Sequence, residues 1–282
     1  MKFIKDFLKG MVIGVANIIP GVSGGTMMVV MGIYDRMIES ISMLRKQFKK
    51  SALFLLPLIL GAGAGIWLFS SGIAYMLENH RVITNFFFIG LIVGSIPMVF
   101  QKATESEFKR RNLIPFAVTL AIMVATLLIN PADSSEIIRT LDAVQFVRLT
   151  LFAAFAATAM IIPGISGSFV MMMLGVYGSI GTAVSEFNIP LLIPIGLGVL
   201  IGIVGGAKVI HLMLQRFPQA MYFGILGFVV GSVPAIFPSG FRLDGTGVIA
   251  ILALVIGGAL SYLSSADWVR AYFARKSDKA GE

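Results

Sequence analysis

The sequence predicts an all-α polytopic membrane protein built from two inverted repeats, each a re-entrant helical hairpin followed by three transmembrane helices. Three observations lead to this prediction: an apolar composition, a Pro-Gly phrase that occurs twice, and an uneven distribution of Lys and Arg. The 282 residues are 57% hydrophobic and 13% charged, whereas a soluble domain is about 25% charged. The composition therefore places the chain in a membrane.

The composition also limits the chemistry that the chain can perform. It has no cysteines and two histidines, which excludes thiolate chemistry and leaves little for a metal site, so we expect no metal and no cofactor. The net charge of +8 is spread over the predicted loops and does not form one basic patch. We therefore expect the basic residues to contact lipid headgroups and to set the topology, and we expect no nucleic-acid partner.

The first repeat begins with a broken apolar element, predicted as a re-entrant hairpin at about 7–34. Residues 1–9 carry three lysines among apolar residues and are typical of an amphipathic segment on the membrane surface. Pro20 and the glycines at 21, 24 and 25 interrupt the helix that follows. A helix over 7–19 would reach about 20 Å, short of the roughly 30 Å hydrocarbon core. We expect the chain to restart as a helix at 23–26.

The same phrase returns at 161–168, so a second re-entrant hairpin is predicted at about 149–177. Between 18–34 and 161–177, nine of 17 positions are identical, namely Ile18, Ile19, Pro20, Gly21, Ser23, Gly24, Met28, Gly32 and Tyr34. Broken apolar elements at matching places in two halves of a membrane protein point to a substrate site.

Three apolar spans follow each hairpin. They are predicted at about 51–77, 85–100 and 112–130 in the first repeat, and at about 190–214, 219–237 and 247–263 in the second. Residues 55–100 align without gaps to 192–237, pairing Pro57 with Pro194 and Gly61 with Gly198. The repeats therefore cover 1–130 and 131–263 of a single membrane domain, and 264–282 form a basic cytoplasmic tail.

The Lys and Arg residues decide between two topologies. If each Pro-Gly element leaves the membrane on the side where it entered, 18 of the 22 basic residues lie inside and four lie outside. If each element crosses the membrane, the division is 12 to 10, which is no bias. The first topology gives an odd number of spans per repeat and hence inverted repeats. Both termini are then cytoplasmic, and the two tips meet near the midplane.

The hairpin tips have the composition of an anion site. A helix that restarts after a break presents unpaired N–H groups and a positive dipole end, and nearby hydroxyls add donors. The predicted phosphate-binding residues are Gly21, Ser23, Gly24, Gly25 and Thr26 at the first tip and Gly164, Ser166, Gly167 and Ser168 at the second. The alternative is that these residues only permit a tight turn, with Ser23 as an N-cap. Arg36 could hold a headgroup at the cytoplasmic mouth or anchor the interface.

The Pro-Gly phrase occurs at 20–26 and 163–168, and Gly94-Ser95-Ile96-Pro97 is matched by Gly-Ser-Val-Pro at 231–234. These motifs resemble those of a bacterial membrane family of polyprenyl-phosphate (undecaprenyl-phosphate) translocases, formerly a domain of unknown function. The resemblance covers essentially the whole chain. It implies a flippase, with no catalytic residues, that returns undecaprenyl phosphate from the outer to the inner leaflet for envelope polymer synthesis. The second copy departs from the first at Ser168-Phe169, so the two half-sites are not equivalent.

Two other functions are compatible with a Pro-Gly-Ser hairpin. An undecaprenyl-diphosphate phosphatase has similar hairpins but needs an arginine in the motif, where this chain has Gly24 and Gly167, and nearby acidic residues, whereas neither hairpin carries a Glu. A small-anion channel or exchanger would present the same kind of helix ends, so the sequence does not separate it from a lipid transporter. The expected partners are a polyprenyl-phosphate lipid and the membrane.

Overall fold

The computed structural model describes residues 2–19, 22–105, 110–128, 138–238 and 240–280, all helical or irregular in these ranges. The helices of the first half are α1 (Lys2–Ile18), α2 (Gly24–Val30), α3 (Tyr34–Ser42), α4 (Phe48–Asn79), α5 (Arg81–Ala103) and α6 (Leu113–Leu128), with a 3₁₀ turn at Arg110–Asn112. Those of the second half are α7 (Ala143–Ile161), α8 (Gly167–Met173), α9 (Tyr177–Ser185), α10 (Ile189–Arg216), α11 (Pro218–Ile236) and α12 (Gly245–Ala280). The all-α prediction is confirmed.

Both predicted helix breaks are present. The first arm α1 ends at Ile18 and the chain restarts as α2 at Gly24, while α7 ends at Ile161 and α8 starts at Gly167. Proline at 163 has no N–H to continue the preceding helix, so the helix ends two residues before it. The matching Pro20 and Gly21 lie outside the described residues. Helix α1 starts at Lys2, earlier than the expected start at residue 7, because the amphipathic segment is continuous with the first arm of the hairpin.

Six helices of the described chain are long and apolar enough to cross a membrane: α4, α5, α7, α10, α11 and the Gly245–Leu263 part of α12. Five of them coincide with predicted spans, and α7 contains the first arm of the second predicted hairpin. The remaining predicted span, at 112–130, is occupied by α6. Helix α7 begins at Ala143, where the N–H of Gln145 donates to the Asp142 carboxylate at 2.6 Å and caps it. Helix α6 has 16 residues up to Leu128, and the predicted repeat boundary at 130 lies outside the described residues.

Two further parts of the chain differ from the sequence analysis. Residues 35–50 and 178–190 connect the predicted hairpins to the next predicted spans, where loops are expected, but the short helices α3 and α9 occupy much of them. Helix α3 is amphipathic and packs against α4 and α10, with Ile38 fully buried. The predicted tail at 264–282 is not separate from the last span, because the backbone of α12 continues as helix to Ala280.

Glycines bring the hairpin arms against the long helices in the same way in both halves. A Cβ on Gly61 would meet the backbone of Phe7, and one on Gly65 would meet that of Met11, so α1 and α4 run parallel in close contact. The corresponding pairs between α7 and α10 are Gly198 with Thr150 and Gly202 with Ala154. Small residues at such contacts let helix backbones approach closely, as membrane helices require.

The last helix of each half, α6 or α12, packs on the other half. Gly90 and Gly94 of α5 lie against Leu254 and Gly258 of α12. The aligned glycines of α11 lie against α6, Gly227 against Phe116 and Gly231 against Met123. The aligned helices α5 and α11 also contact each other and run antiparallel, since Asn85 donates to the Ile236 carbonyl at 2.8 Å and Lys102 donates to the Tyr222 hydroxyl at 2.8 Å. The two halves are thus interlocked.

Candidate functional site

The tip of the first hairpin is closed. Residues 22–26 are all buried, and Ser23 sits in an extended conformation immediately before α2, with 5% of its surface exposed. Its hydroxyl has no hydrogen-bond partner in the described structure, so the side-chain capping bond that the alternative interpretation requires is absent. An unpaired hydroxyl at such burial is costly. It is therefore available to a ligand that reaches this tip.

The tip of the second hairpin is more exposed than the first at its two serines. The chain turns through Gly164, whose φ of +87° is a conformation that residues with a side chain rarely adopt. The Ser166 and Ser168 hydroxyls lie 2.8 Å apart at the start of α8, with Ser166 half-buried and Ser168 exposed. The repeated motif therefore has two different environments, which agrees with the sequence difference at Ser168.

The two tips touch each other. The buried N–H of Gly164 donates to the Thr26 hydroxyl oxygen at 2.8 Å. Gly25 lies directly against the end of α7, because a Cβ at this position would come within 2.9 Å of the Ile161 carbonyl oxygen. Thr26, Gly25 and Gly164 therefore meet at one junction, and Ser23 and Gly24 immediately precede Gly25 in the chain. Gly21 lies outside the described residues.

Asn17 lies beside the first tip, a position that the sequence analysis missed. A Cβ on Gly24 would lie 2.7 Å from the Asn17 side-chain oxygen, so this exposed amide sits beside the start of α2. The aligned contact in the second half is made by Met160, whose Cβ would be 3.1 Å from a Cβ on Gly167. The sequence feature that could have identified Asn17 is a polar residue in an apolar run, one turn before the Pro-Gly break.

The structure places Arg36 on an aromatic ring. Arg36 is in the first turn of α3, and its guanidinium lies 3.7 Å from the centre of the Phe54 ring in α4. Such stacking is favourable and keeps the guanidinium edges free to bind an anion. Arg36 is also near enough to Lys9 that its charge contributes to lowering the pKa of that ammonium. The two cations therefore belong to one neighbourhood, at the beginning of the first hairpin.

Asp35, Lys102 and Tyr222 form a polar cluster that the sequence analysis also missed. The Tyr222 hydroxyl donates to the Asp35 carboxylate at 2.6 Å, and Lys102 forms an ion pair with the same carboxylate. The cluster joins the start of α3, the end of α5 and the start of α11. Through Asp35, which directly follows the first hairpin, the cluster connects the hairpin to α5 of the first half and α11 of the second half.

We expect Lys102→Met to lower the melting temperature of the purified protein by about 2–4 °C, corresponding to about 1 kcal/mol for a partly exposed ion pair. The reason is that Asp35 and Tyr222 lose their shared cation. Thermal unfolding monitored by intrinsic fluorescence measures this effect. Lys46→Met is the control, since Lys46 is exposed at the link between α3 and α4. Equal shifts in the two variants would show that the cluster does not hold the elements together.

The comparisons with known proteins agree with this architecture. The sequence model of an undecaprenyl phosphate translocase-like family matches residues 13–246. The chain belongs to this family. It is 35% identical to a protein of Staphylococcus aureus named polyprenyl-phosphate transporter, over 83% of this chain and 86% of that protein.

A second relative extends the comparison to another group of bacteria. The chain is 27% identical to a polyprenyl-phosphate transporter of Vibrio cholerae, over 84% of this chain and 79% of that protein. No solved structure matches the chain. Family membership and the six long apolar helices make this a multi-pass membrane protein.

Proposed function

We propose that the protein moves undecaprenyl phosphate from the outer to the inner leaflet of the bacterial cytoplasmic membrane, where the lipid carrier is reused for envelope polymer synthesis. The observation that carries this proposal is the junction of the two motif-bearing tips, where a buried Ser23 hydroxyl has no partner. The names of the relatives are those of transporters of this lipid class, which supports transport rather than catalysis.

In this proposal the phosphate binds at the two tips. Its donors are the backbone N–H groups at the starts of α2 and α8, with the hydroxyls of Ser23, Ser166 and Ser168. The Asn17 amide adds a donor beside Gly24. The sequence has no Lys or Arg between 10 and 35 or between 149 and 207. No cation of these two segments would therefore hold the phosphate and slow its release. Helix ends contribute roughly 0.3–2 kcal/mol each, which gives moderate binding.

We also propose that the two halves are inverted repeats, with both termini in the cytoplasm. The antiparallel contact of the aligned helices α5 and α11 supports this arrangement. The bias of 18 to four in the Lys and Arg distribution supports the same orientation. Inverted repeats around a shared site allow the site to open to either leaflet by a movement of one repeat against the other.

Cysteine labelling tests this topology. Ser42 and Ser185 are the last residues of the aligned helices α3 and α9, and the natural chain has no cysteine. We expect a membrane-impermeant maleimide to label Ser42→Cys only from the cytoplasmic side and Ser185→Cys only from the outside. Labelling of both variants from the same side would contradict the inverted repeats.

The proposed phosphate site predicts an order of effects on transport. Gly24→Ala and Gly167→Ala place a methyl where the phosphate approaches the backbone, and we expect each to slow transport by about tenfold, the loss of one charged hydrogen bond. Both proteins should fold. The methyl of Gly24→Ala meets the end of the Asn17 side chain, which can turn away, and that of Gly167→Ala lies 3.1 Å from the Met160 Cβ, which a shift of a few tenths of an ångström relieves. Ser23→Ala and Ser166→Ala remove one hydroxyl each and should have smaller effects. Normal transport by both glycine variants would make the motif a structural turn only.

The function is tested by reconstituting the purified protein in liposomes that contain undecaprenyl phosphate. We expect the phosphate headgroups to redistribute between the leaflets, as detected by a headgroup reagent that cannot cross the bilayer. Release of inorganic phosphate from undecaprenyl diphosphate, abolished by Ser23→Ala, would instead identify a phosphatase. Chloride flux without redistribution of the lipid would identify an anion channel or exchanger.

A further inference from the structure

An apolar cavity of about 610 Å³ lies beside the first hairpin, between α1, α2, α4, α5 and α12. Its wall includes Val15, Met31, Phe69 and Leu91. A volume of this size is typical of pockets that enclose most of one small ligand. Methionine adapts its shape to irregular apolar partners, and Met31 is one of several methionines in this wall.

Two polar groups interrupt this apolar wall. The Lys9 ammonium lines the cavity and donates to the Met31 carbonyl oxygen at 3.2 Å. The Ser261 hydroxyl also lines it and has no hydrogen-bond partner in the described structure, although Ser261 is only 1% exposed. Both groups can still interact with a ligand that has a charged or polar end.

The charge at Lys9 is only partly compensated. Burial lowers the pKa of the Lys9 ammonium, Asp6 opposes this effect, and the cations Arg36 and Lys5 lower the pKa further. An anion beside Lys9 would reverse these effects, because it stabilises the charged form. The local charge is therefore complementary to an anionic headgroup.

The cavity extends from Lys9 toward the hairpin tip. Val15 lies six residues beyond Lys9 in the same helix, about 9 Å along its axis, and Met27 of the adjoining α2 also lines the cavity. A lipid with its headgroup at Lys9 would thus lay its first chain segment along α1. This is the orientation of a lipid whose headgroup is at the interface and whose chain points into the bilayer.

We propose that this cavity binds the phosphate-proximal isoprene units of a polyprenyl monophosphate, with the phosphate at Lys9 and the chain along α1. The site is separate from the tip junction and would hold the lipid in the leaflet that contains the start of α1. This inference rests on the proposed function, because polyprenyl phosphate is the lipid that the proposed function transports. The volume of about 610 Å³ has room for the first isoprene units of one chain, and the one lysine in its wall matches one phosphate.

Photo-crosslinking tests the proposal with an undecaprenyl phosphate that carries a diazirine on the isoprene unit next to the phosphate. In lipid nanodiscs we expect the probe to label peptides that contain the cavity residues Val12, Val15 and Leu91. Lys9→Gln should reduce this labelling by about tenfold, while labelling by the corresponding uncharged polyprenol probe should not change. A loss for both probes would mean that Lys9 only holds α1 to α2.

A matched pair of substitutions on α5 controls for general damage. Leu91→Trp fills the cavity and should abolish labelling, whereas Val93→Trp places the same side chain at a 42% exposed position outside the cavity wall and should leave it unchanged. Equal labelling of both variants would overturn the proposal. The proposal would also be overturned if phosphatidylglycerol and undecaprenyl phosphate competed equally with the probe, because the cavity would then be a general binding site for anionic lipids.

The transport assay separates failure of this inference from failure of the proposed function. If the protein redistributes undecaprenyl phosphate but the probe labels no cavity peptide, the function stands and the cavity site is wrong. If the protein neither transports the lipid nor is labelled by the probe anywhere, both are wrong.

Discussion

Gly164→Ala should destabilise the protein strongly and abolish transport, with a loss of about 2–5 kcal/mol in the free energy of unfolding. Two costs combine at this position. The φ of +87° is unfavourable for alanine, and its Cβ would lie 2.6 Å from the carbonyl oxygen of Phe228. To escape both, the turn must move away from α11, which would break the hydrogen bond to Thr26. Thermal unfolding and the liposome assay measure the two effects.

Gly240→Ala is the matched control for this substitution. Gly240 has nearly the same φ, +85°, but a Cβ there would meet nothing within 4 Å. The control therefore carries the conformational cost alone, about 1–2 kcal/mol, and should transport normally at a temperature where it is folded. If the two variants were equally stable and equally active, close packing of the second tip against α11 would not matter.

The positions of the helix breaks could be predicted from the sequence because their causes are local. Proline removes a backbone donor at a fixed place, so the end of α7 just before Pro163 follows from the chain itself. The starts of α2 and α8 at Gly24 and Gly167 also agree with the expected restarts. The repeat made this prediction stronger, since the same local signal occurs twice.

The extent of some helices could not be predicted because polar residues at the ends of apolar segments are as typical of loops as of helices. Helix α3 contains Asp35, Arg36 and Glu39, yet its apolar positions share one face and pack on the core. The continuation of α12 is rich in Ala, Lys and Arg, which favour helix even outside the membrane. Both segments lie at the ends of apolar runs, where composition changes but backbone preference does not.

The pairing of helices could not be predicted because all the spans are similarly apolar. Nothing in the sequence indicates that α6 packs on α11 while α12 packs on α5, since the glycines identify a contact face but not its partner. The cluster of Asp35, Lys102 and Tyr222 joins residues 67 and 187 positions apart, so it also depends on the tertiary fold. The tip residues could be identified because the motif is repeated, whereas Asn17 is polar in only one of the two copies.

Thr26→Val should weaken the junction between the two hairpin tips. Valine has nearly the shape of threonine but cannot accept the hydrogen bond from the Gly164 N–H, which is buried. An unsatisfied buried donor costs about 1–3 kcal/mol, so we expect a lower melting temperature and faster hydrogen exchange in peptides that contain Gly164. Transport should fall as well, because the proposed phosphate site requires donors from both tips at a fixed separation.

Thr26→Ser separates the hydrogen bond from the packing at this position. Serine keeps the acceptor oxygen and loses one methyl group, which costs about 0.8 kcal/mol at a site that is 1% exposed. The serine variant should therefore keep slow exchange at Gly164 and most of its transport, although its stability is also reduced. If the valine and serine variants had the same exchange and the same transport, the contact between the tips would only pack the hairpins together. The fast exchange and low transport expected of the valine variant alone would link the joined tips to passage of the phosphate.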